Sequence, residues 1–164
     1  MLCCQLAGEN IADTLRKKQA KKVAEVYSDL LSKGIENIII AGTLNAPSYD
    51  DCISPIMESG VSDVVKHQSF DVMADLGKDA GYYRMGAYRM GVNIKQKDYL
   101  LVSPILYDKI NACGMNRKGM WPLNKPEWET YDTVEKEKDA ASDHPLLWAD
   151  FKLEDSIRLY KKSA

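Results

Sequence analysis

The sequence predicts an α/β fold, and two adjacent stretches near its beginning carry most of that prediction. Apolar residues recur at three- and four-residue steps over residues 11–31, which is the pattern of an amphipathic helix. Residues 37–42, NIIIAG, are apolar and β-branched, which is typical of a strand buried on both faces. Because a helix leading into such a strand is the basic unit of an α/β layer, we expect residues 1–164 to form a single domain of this class.

The bulk composition excludes several broad classes of protein. A net charge of −2 gives no general attraction to nucleic acid or to anionic membranes. The four cysteines form no CxxC pair, so neither a zinc site nor a disulfide framework is indicated. We find no apolar run long enough to span a membrane and no secretory signal, so a soluble cytoplasmic protein with reduced thiols is expected.

The first third of the chain is predicted as strand, helix, strand and helix. Residues 1–7, MLCCQLA, are short and apolar and predict a strand. The helix over 11–31 should end at Gly34. Its polar face is basic, and a solvated helix surface is favoured over phosphate binding. That face carries Arg16, Lys17, Lys18, Lys21 and Lys22. Ser48 and Asp51 then predict a capped helix reaching Glu58, weakened by Pro55.

The rest of the chain alternates between loops and apolar strands. Residues 63–79, with His67 on the surface, lack a clear period and predict loop with short helix. The near-repeat over 82–91, YYRMG and YRMG, fits a hairpin and a polyanion site equally well. Strands are predicted over 96–104, 110–115 and 146–152. Loop is predicted over 117–131, a helical turn over 134–139 and a terminal helix over 153–162.

Polar residues stand at the ends of three of these strands. The segments are GTLN at 42–45, KDY at 97–99 and SDHP at 142–145, and the last holds one of only two histidines. A carboxylate can hold a divalent cation, and an imidazole can donate a proton to a phosphate oxygen. Pro145 biases His144 toward an extended backbone. Taken alone, SDHP favours a polar turn before a strand with a surface histidine over a catalytic site.

In order and spacing, these segments resemble the C-terminal half of the endonuclease/exonuclease/phosphatase family, whose fold is like that of deoxyribonuclease I. In that family a strand ends in Gly-Asp-x-Asn, a later strand runs from Asp-Tyr to Ser-Pro, and Ser-Asp-His announces the last core strand. The matching lines here are IIIAGTLNAPS, QKDYLLVSP and AASDHPLLWADFKL, and RKGMWPLNKPEWETYDTVEKEKDAASDH is similar to a bacterial branch. The resemblance implies half of a four-layer α/β sandwich, with a mixed β-sheet and flanking helices.

The resemblance also implies a set of site residues for the hydrolysis of phosphodiesters or phosphomonoesters. Asn45 would contact the scissile phosphate, and His144 would stabilise the charge that builds on the phosphoryl oxygens. Asp98 would orient His144. Asp143 would be a metal-side carboxylate for Mg²⁺ or Mn²⁺. The substrate would be a phosphate ester, with nucleic acid as one candidate class.

Departures from the family pattern predict impaired activity. Thr43 replaces the Asp of Gly-Asp-x-Asn, and a neutral hydroxyl does not act as a general base. Gln5 stands where many members have a histidine, and Lys97 replaces an apolar residue. The family's N-terminal half, which supplies further metal ligands, is absent from this chain. One carboxylate is a weak magnesium site, so weak metal binding is expected.

The resemblance leaves three functions to be weighed. The first is a metal-dependent phosphodiesterase or nuclease-like hydrolase, inactive or impaired as this chain alone. The alternative is a non-catalytic structural or interaction subunit that keeps the fold. The third is a nucleic-acid binder that uses the basic helix face and the Tyr/Arg repeat. A lone half of the sandwich would expose an apolar sheet face, so a homo-oligomer or a partner chain covering it is expected.

Overall fold

The computed structural model describes residues 2–71, 96–121, 129–142 and 144–153. Several predictions fall outside these residues: the Tyr/Arg repeat over 82–91, the terminal helix beyond residue 153, and the metal-side carboxylate Asp143. Parts of the loops predicted over 63–79 and 117–131 fall outside them as well. Helices and mainly antiparallel strands alternate along the described chain, which confirms the α/β class at that level. Within these residues, the helices lack the combination of length and apolarity that crossing a lipid bilayer takes.

The first element is a long helix, α1, which spans Leu2–Ser32. The predicted strand over residues 1–7 is therefore wrong. A short apolar run does not by itself distinguish a strand from a helix, and here it forms the first turns of the helix predicted over 11–31. The predicted stop is confirmed: Gly34 has φ 78°, the left-handed conformation that glycine adopts without strain. The Ile35 amide then donates to the Leu30 carbonyl oxygen over 3.1 Å, which closes the helix end.

The six strands of the described residues form two three-stranded sheets instead of the one mixed sheet that was expected. The first sheet is antiparallel, in the order β1-β4-β2. In the second, of order β3-β5-β6, β3 is parallel to β5 and β6 is antiparallel to it. The strands are β1 (Ile39–Thr43), β2 (Ser62–Asp63), β3 (Phe70–Asp71), β4 (Asp98–Val102), β5 (Ile110–Asn116) and β6 (Leu146–Phe151). A 3₁₀ turn, Val64–Lys66, joins β2 to the chain that leads into β3.

Strand β1 lies at the edge of the first sheet, so the prediction that it is buried on both faces is wrong. Ile40 packs against the α1 side of the sheet, whereas Ile39 on the opposite face is 48% exposed. A β-branched apolar run describes a strand, but it does not say whether a neighbour covers both faces. The strand that is buried on both faces is β4, because Leu101 packs toward α1 and α2 while Val102 packs into the cluster on the opposite face.

The helix predicted over residues 48–58 is shorter than expected. Only Ser54–Met57, α2, is helical. The carboxylate of Asp50 accepts from the Cys52 amide over 3.0 Å, which makes a turn in place of the predicted cap. Pro55 lies in the first turn of α2, where its fixed φ suits the start of a helix. Two further short helices are α3 (Pro104–Tyr107) and a 3₁₀ turn (Glu137–Asp139) within the helical turn predicted there.

Two apolar clusters share β4 as their common wall. Tyr99 and Leu101 point toward α1 and α2, where they meet Ile53 and Ile56. Val102 points the other way into a second cluster. That cluster includes Val64, Leu106, Ile110 and Cys113. The two faces of one strand therefore join the helical layer to the second sheet. The first residue of that strand, Asp98, is itself buried.

Ser103, directly after β4, fixes the chain that enters β1. Its hydroxyl accepts from the Ile38 amide over 3.2 Å and donates to the Glu36 carbonyl oxygen over 2.5 Å. The Ser103 side chain is buried, so alanine would leave the Ile38 N–H without its acceptor inside the protein. We expect Ser103→Ala to lower the free energy of unfolding by about 1–3 kcal/mol in urea denaturation.

Ser32 provides the matched control for this substitution. Its hydroxyl also donates to a backbone carbonyl oxygen, that of Asp29, but at the exposed end of α1. Water can replace that bond, so Ser32→Ala should change stability by less than about 0.5 kcal/mol. Equal effects of the two substitutions would contradict the role assigned to Ser103.

Candidate functional site

Three chain segments meet at one end of the first sheet. Thr43, the last residue of β1, is the antiparallel partner of Asp98, the first residue of β4. Beyond this pair, the Leu44 amide donates to the Lys97 carbonyl oxygen over 2.8 Å and extends the pairing by one step. His144 arrives from the loop before β6 and contacts Asp98. The strand pairing thus accounts for two of these segments being neighbours, and the loop before β6 supplies the third.

Asp98 and His144 form the central contact of the site. The Nδ1 atom of His144 lies 2.8 Å from both Oδ1 and Oδ2 of Asp98. Because a carboxylate offers acceptor oxygens, the hydrogen between these groups belongs on Nδ1. The Asp98 side chain is 12% exposed and the His144 side chain 29%. A mostly buried carboxylate therefore orients a ring that still reaches the surface, and Nε2 is the nitrogen on its other side.

Two neighbours of His144 hold its backbone. The Ser142 hydroxyl accepts from the His144 amide over 3.0 Å, which forms a tight local turn. Pro145 follows and restricts His144 to an extended conformation. The sequence motif Ser-x-His-Pro therefore has a structural explanation: serine and proline set the direction in which the imidazole leaves the chain.

Thr43 binds to the same carboxylate. Its hydroxyl donates to Oδ1 of Asp98 over 2.7 Å, so this oxygen accepts from Thr43 while it also faces His144. In the resembling family this position is an aspartate. Here the residue is a hydrogen-bond donor that helps to hold Asp98 in place. Sequence reasoning found the replacement but not this contact, which the β1–β4 register would have indicated.

Asn45 occupies the loop two residues beyond Thr43. Its φ of 55° lies in the left-handed region, which asparagine tolerates better than most residues. The side chain is at the protein surface. The structure thus brings Asp98 and His144 into contact and places Asn45 in the adjoining loop. The roles assigned to these three residues stay predictions.

A buried polar chain that the sequence did not indicate lies behind Asp98. The side-chain amide of Gln96 donates to Oδ2 of Asp63 over 3.0 Å and to the Asp98 carbonyl oxygen over 3.2 Å. Asp63 also accepts from the Val65 amide over 3.3 Å. Burial raises the pKa of Asp63 above its ordinary value of 3.8, although these hydrogen bonds and Lys66 oppose the shift.

The raised pKa of Asp63 makes a prediction about stability and pH. The folded protein holds this proton to a higher pH than the unfolded chain does, so stability falls as pH rises above about 4 through the folded-state pKa. Asparagine does not ionise, so Asp63→Asn removes this fall in stability with pH. In urea denaturation between about pH 4 and pH 7, the variant should therefore gain stability relative to the native chain as pH rises through that interval. A difference that is constant with pH would contradict the burial argument.

The described residues do not form a divalent-metal site. Among them, no three histidine, cysteine or acidic side chains lie close enough together to hold an ion. Asp98 and His144 form a dyad, and the Asp98 carboxylate already binds both His144 and Thr43. Magnesium prefers several oxygen ligands, so the chemistry of this donor set does not fit the ion by itself. Asp143, the predicted ligand, lies outside the described residues.

The basic face of α1 is partly neutralised by neighbouring acids. Arg16 pairs with Asp13, and Lys17 pairs with Asp51 of the loop before α2. Lys22 pairs with Glu25 on the same helix. These pairs favour the solvated helix surface over a nucleic-acid interface, because paired lysines offer less positive potential to a phosphate backbone.

Comparisons with protein-family models, with curated proteins and with solved structures find no match to this chain. The resemblance to the endonuclease/exonuclease/phosphatase family is therefore carried by the three motifs alone.

Proposed function

We propose that this chain carries a phosphate-ester site of the endonuclease/exonuclease/phosphatase type, on half of a deoxyribonuclease I-like fold, and that it turns over slowly by itself. In this proposal Asn45 contacts the scissile phosphate and His144 stabilises the charge on the phosphoryl oxygens. Asp98 is the positioning residue for His144. Asp143 and residues beyond those described complete any site for Mg²⁺ or Mn²⁺.

One observation carries the proposal: a mostly buried carboxylate holds Nδ1 of a partly exposed histidine through both of its oxygens. A histidine held in this way has a fixed ring orientation. In its protonated form it donates Nδ1–H to Asp98 and can donate Nε2–H to a phosphate oxygen without a conformational change. A surface histidine without such a partner would sample several rotamers and would lose this preorganisation.

The slow turnover follows from two differences between this site and that of the family, one in a catalytic residue and one in the metal ligands. Thr43 donates a hydrogen bond and does not take a proton from water. The described residues around Asp98 lack the oxygen ligands that a divalent ion requires. Phosphate-ester binding should therefore survive better than hydrolysis does.

Binding is accordingly the first test. Adding dimethyl phosphate, a stable phosphodiester, to the isotopically labelled chain should shift the NMR signals of the His144 ring and the Asn45 amide. The signals of the His67 ring, from the only other histidine, should stay in place. Equal shifts at both histidines, or none at either, would overturn the proposal. Rapid hydrolysis of bis(p-nitrophenyl) phosphate with magnesium would overturn the claim of slow turnover.

The alternative is a non-catalytic structural or interaction subunit, and the Thr43–Asp98 bond favours it. Thr43 stands where the family has its water-orienting aspartate, and its hydrogen bond to Asp98 instead stabilises the first sheet. Thr43→Asp restores the family motif but brings a second carboxylate against Asp98. If this variant gains no hydrolysis and the native chain sediments at twice the mass of one copy, the alternative is supported. Metal-dependent turnover by the native chain would reject it.

A further inference from the structure

The first sheet has an open edge along β1. This strand pairs with β4 on one side, and no strand of the described residues pairs with it on the other. Its sequence, IIAGT, contains no proline and no charged residue, and its register with β4 runs without a bulge. Natural edge strands usually carry one of these features, because they keep other strands from pairing with the edge. The edge of β1 is therefore open to a further strand.

Backbone groups at alternate residues of β1 face this edge. The Leu44 amide donates to the Lys97 carbonyl oxygen, just beyond one end of the β1–β4 pairing. At the other end, the Ser103 amide donates to the Ile38 carbonyl oxygen, so the even-numbered residues of this segment bond to β4. Because the direction of hydrogen bonding alternates along a strand, the odd-numbered residues turn their N–H and C=O groups to the open edge. These exposed residues are Ile39, Ala41 and Thr43.

An apolar groove runs beside the open edge. It has a volume of about 380 Å³ and lies between α1, which contributes Val26 and Leu30, and residues 38–41. No residue of β4 lines it, so it opens on the side of β1 away from β4. Val26 is 47% exposed and Ile39 is 48% exposed, so apolar surface here meets water. A strand paired with β1 would turn alternate side chains toward α1 and would cover that surface.

We propose that β1 and this groove bind an extended segment of a partner protein by β-strand addition. The row of donors and acceptors along the edge specifies the occupant, because an extended backbone matches such a row and a helix or a compact ligand does not. The groove selects a segment with apolar side chains at alternate positions. This surface binds a peptide whether or not the dyad binds a phosphate, so the two proposals are tested independently.

A second copy of this chain fits the edge less well. Two β1 strands would pair antiparallel about a two-fold axis at Ala41, with α1 of both copies on the same face of the joined sheet. Lys22 of α1 lines the groove together with Ala41. Such an axis would therefore bring the two Lys22 side chains toward each other, and like charges oppose that contact.

Exchange of the β1 amides with water tests the proposal directly. In the native chain the amides of Ile39, Ala41 and Thr43 should exchange rapidly in NMR measurements. Those of Ile40 and Gly42, which bond to β4, should not. The probe is the peptide acetyl-Lys-Val-Thr-Val-Thr-Val-Lys-amide. At about ten times its Kd, it should slow exchange at the three edge-facing amides about tenfold.

Two N-methylated versions of the probe show whether the contact is backbone pairing. One carries methyl groups on two valine amides and the other on both threonine amides, so each version blocks one edge of the peptide. Because β1 contacts only one of these edges, one version should bind at least about tenfold more weakly than the unmodified probe. The other version should bind about as tightly as the probe. Equal binding of the two versions would overturn the proposal.

Ala41→Pro changes the edge on the side of the protein. It removes the Ala41 N–H group, and proline is tolerated there because the bonds between β1 and β4 lie on the other side of the strand. Ala41→Ser keeps the N–H group and is the control. The probe should bind at least about tenfold more weakly to the first variant and as tightly as before to the second. The amide signals of Leu101 and Val102 check that β4 is formed in both.

The native chain without the probe gives a further decisive result. Slow exchange at the three edge-facing amides in a sample that sediments as a dimer would mean that a second copy occupies the edge. The same result in a monomer would mean that another segment of this chain does. Either result overturns the proposal. Protection that appears only with the probe, together with unequal binding of its two methylated versions, supports it.

Discussion

His144→Ala is expected to lower magnesium-dependent hydrolysis of a phosphodiester by about 10²- to 10⁴-fold, however slow the native chain is. The imidazole is the group that Asp98 orients toward the proposed phosphate position, and alanine leaves nothing to stabilise charge on the phosphoryl oxygens. The rate should be measured at saturating magnesium with bis(p-nitrophenyl) phosphate. A discontinuous assay run over hours would detect the low turnover that is expected.

The second histidine supplies the control for that measurement. His67 lies away from the dyad, where its Nδ1 atom is 2.7 Å from the Ser69 hydroxyl and its ring meets Tyr107 edge-on. His67→Ala should leave the rate unchanged once the two variants are matched for the fraction folded by their melting curves. Hydrolysis that survives His144→Ala at the native rate would show that the activity belongs to another site or to a contaminant.

Leu101→Ala is expected to lower the free energy of unfolding by about 2–5 kcal/mol, which is a large part of the stability of a domain this size. Leu101 has no exposed surface and lies in β4, where it packs against α1 and α2. Alanine would remove buried methyl groups and leave a cavity that two helices and a strand cannot easily close. Urea denaturation, followed by circular dichroism, measures the loss.

Leu146 offers the same substitution at an exposed position of a strand. It is 64% exposed at the start of β6, so Leu146→Ala should cost less than about 0.5 kcal/mol. Equal losses from the two leucines would mean that the first sheet does not form the core described here. A large loss confined to Leu101→Ala is the expected result.

Periodicity and apolar runs predicted the elements in the second half of the chain better than those at its beginning. The apolar segments containing β4, β5 and β6 were placed correctly. Pro104 ends the run that contains β4, and Pro145 precedes the run that contains β6. Residues 1–7 were misassigned, since a short apolar run satisfies helix and strand patterns alike. The exposure of β1 depends on which neighbours the chain brings beside it, and no local pattern contains that information.

The candidate site was predictable only through the resemblance. The contact between Asp98 and His144 joins residues 46 positions apart, and spacing alone gives no reason for it. The hydrogen bond from Thr43 depends on the strand register, and the Asp63–Gln96 chain depends on β2 lying beside β4. These are consequences of topology, so they become visible once the sheet is assembled.

The central position of β4 also bears on how the molecule opens. Amide protons at Leu101 and Val102 should exchange with deuterium only through global unfolding, because these residues are paired with β1 on one side and with β2 on the other. Asp98 begins the same strand, and the bond from Leu44 to Lys97 extends the pairing one step beyond it. The carboxylate that orients His144 is thus carried by a part of the domain that opens late.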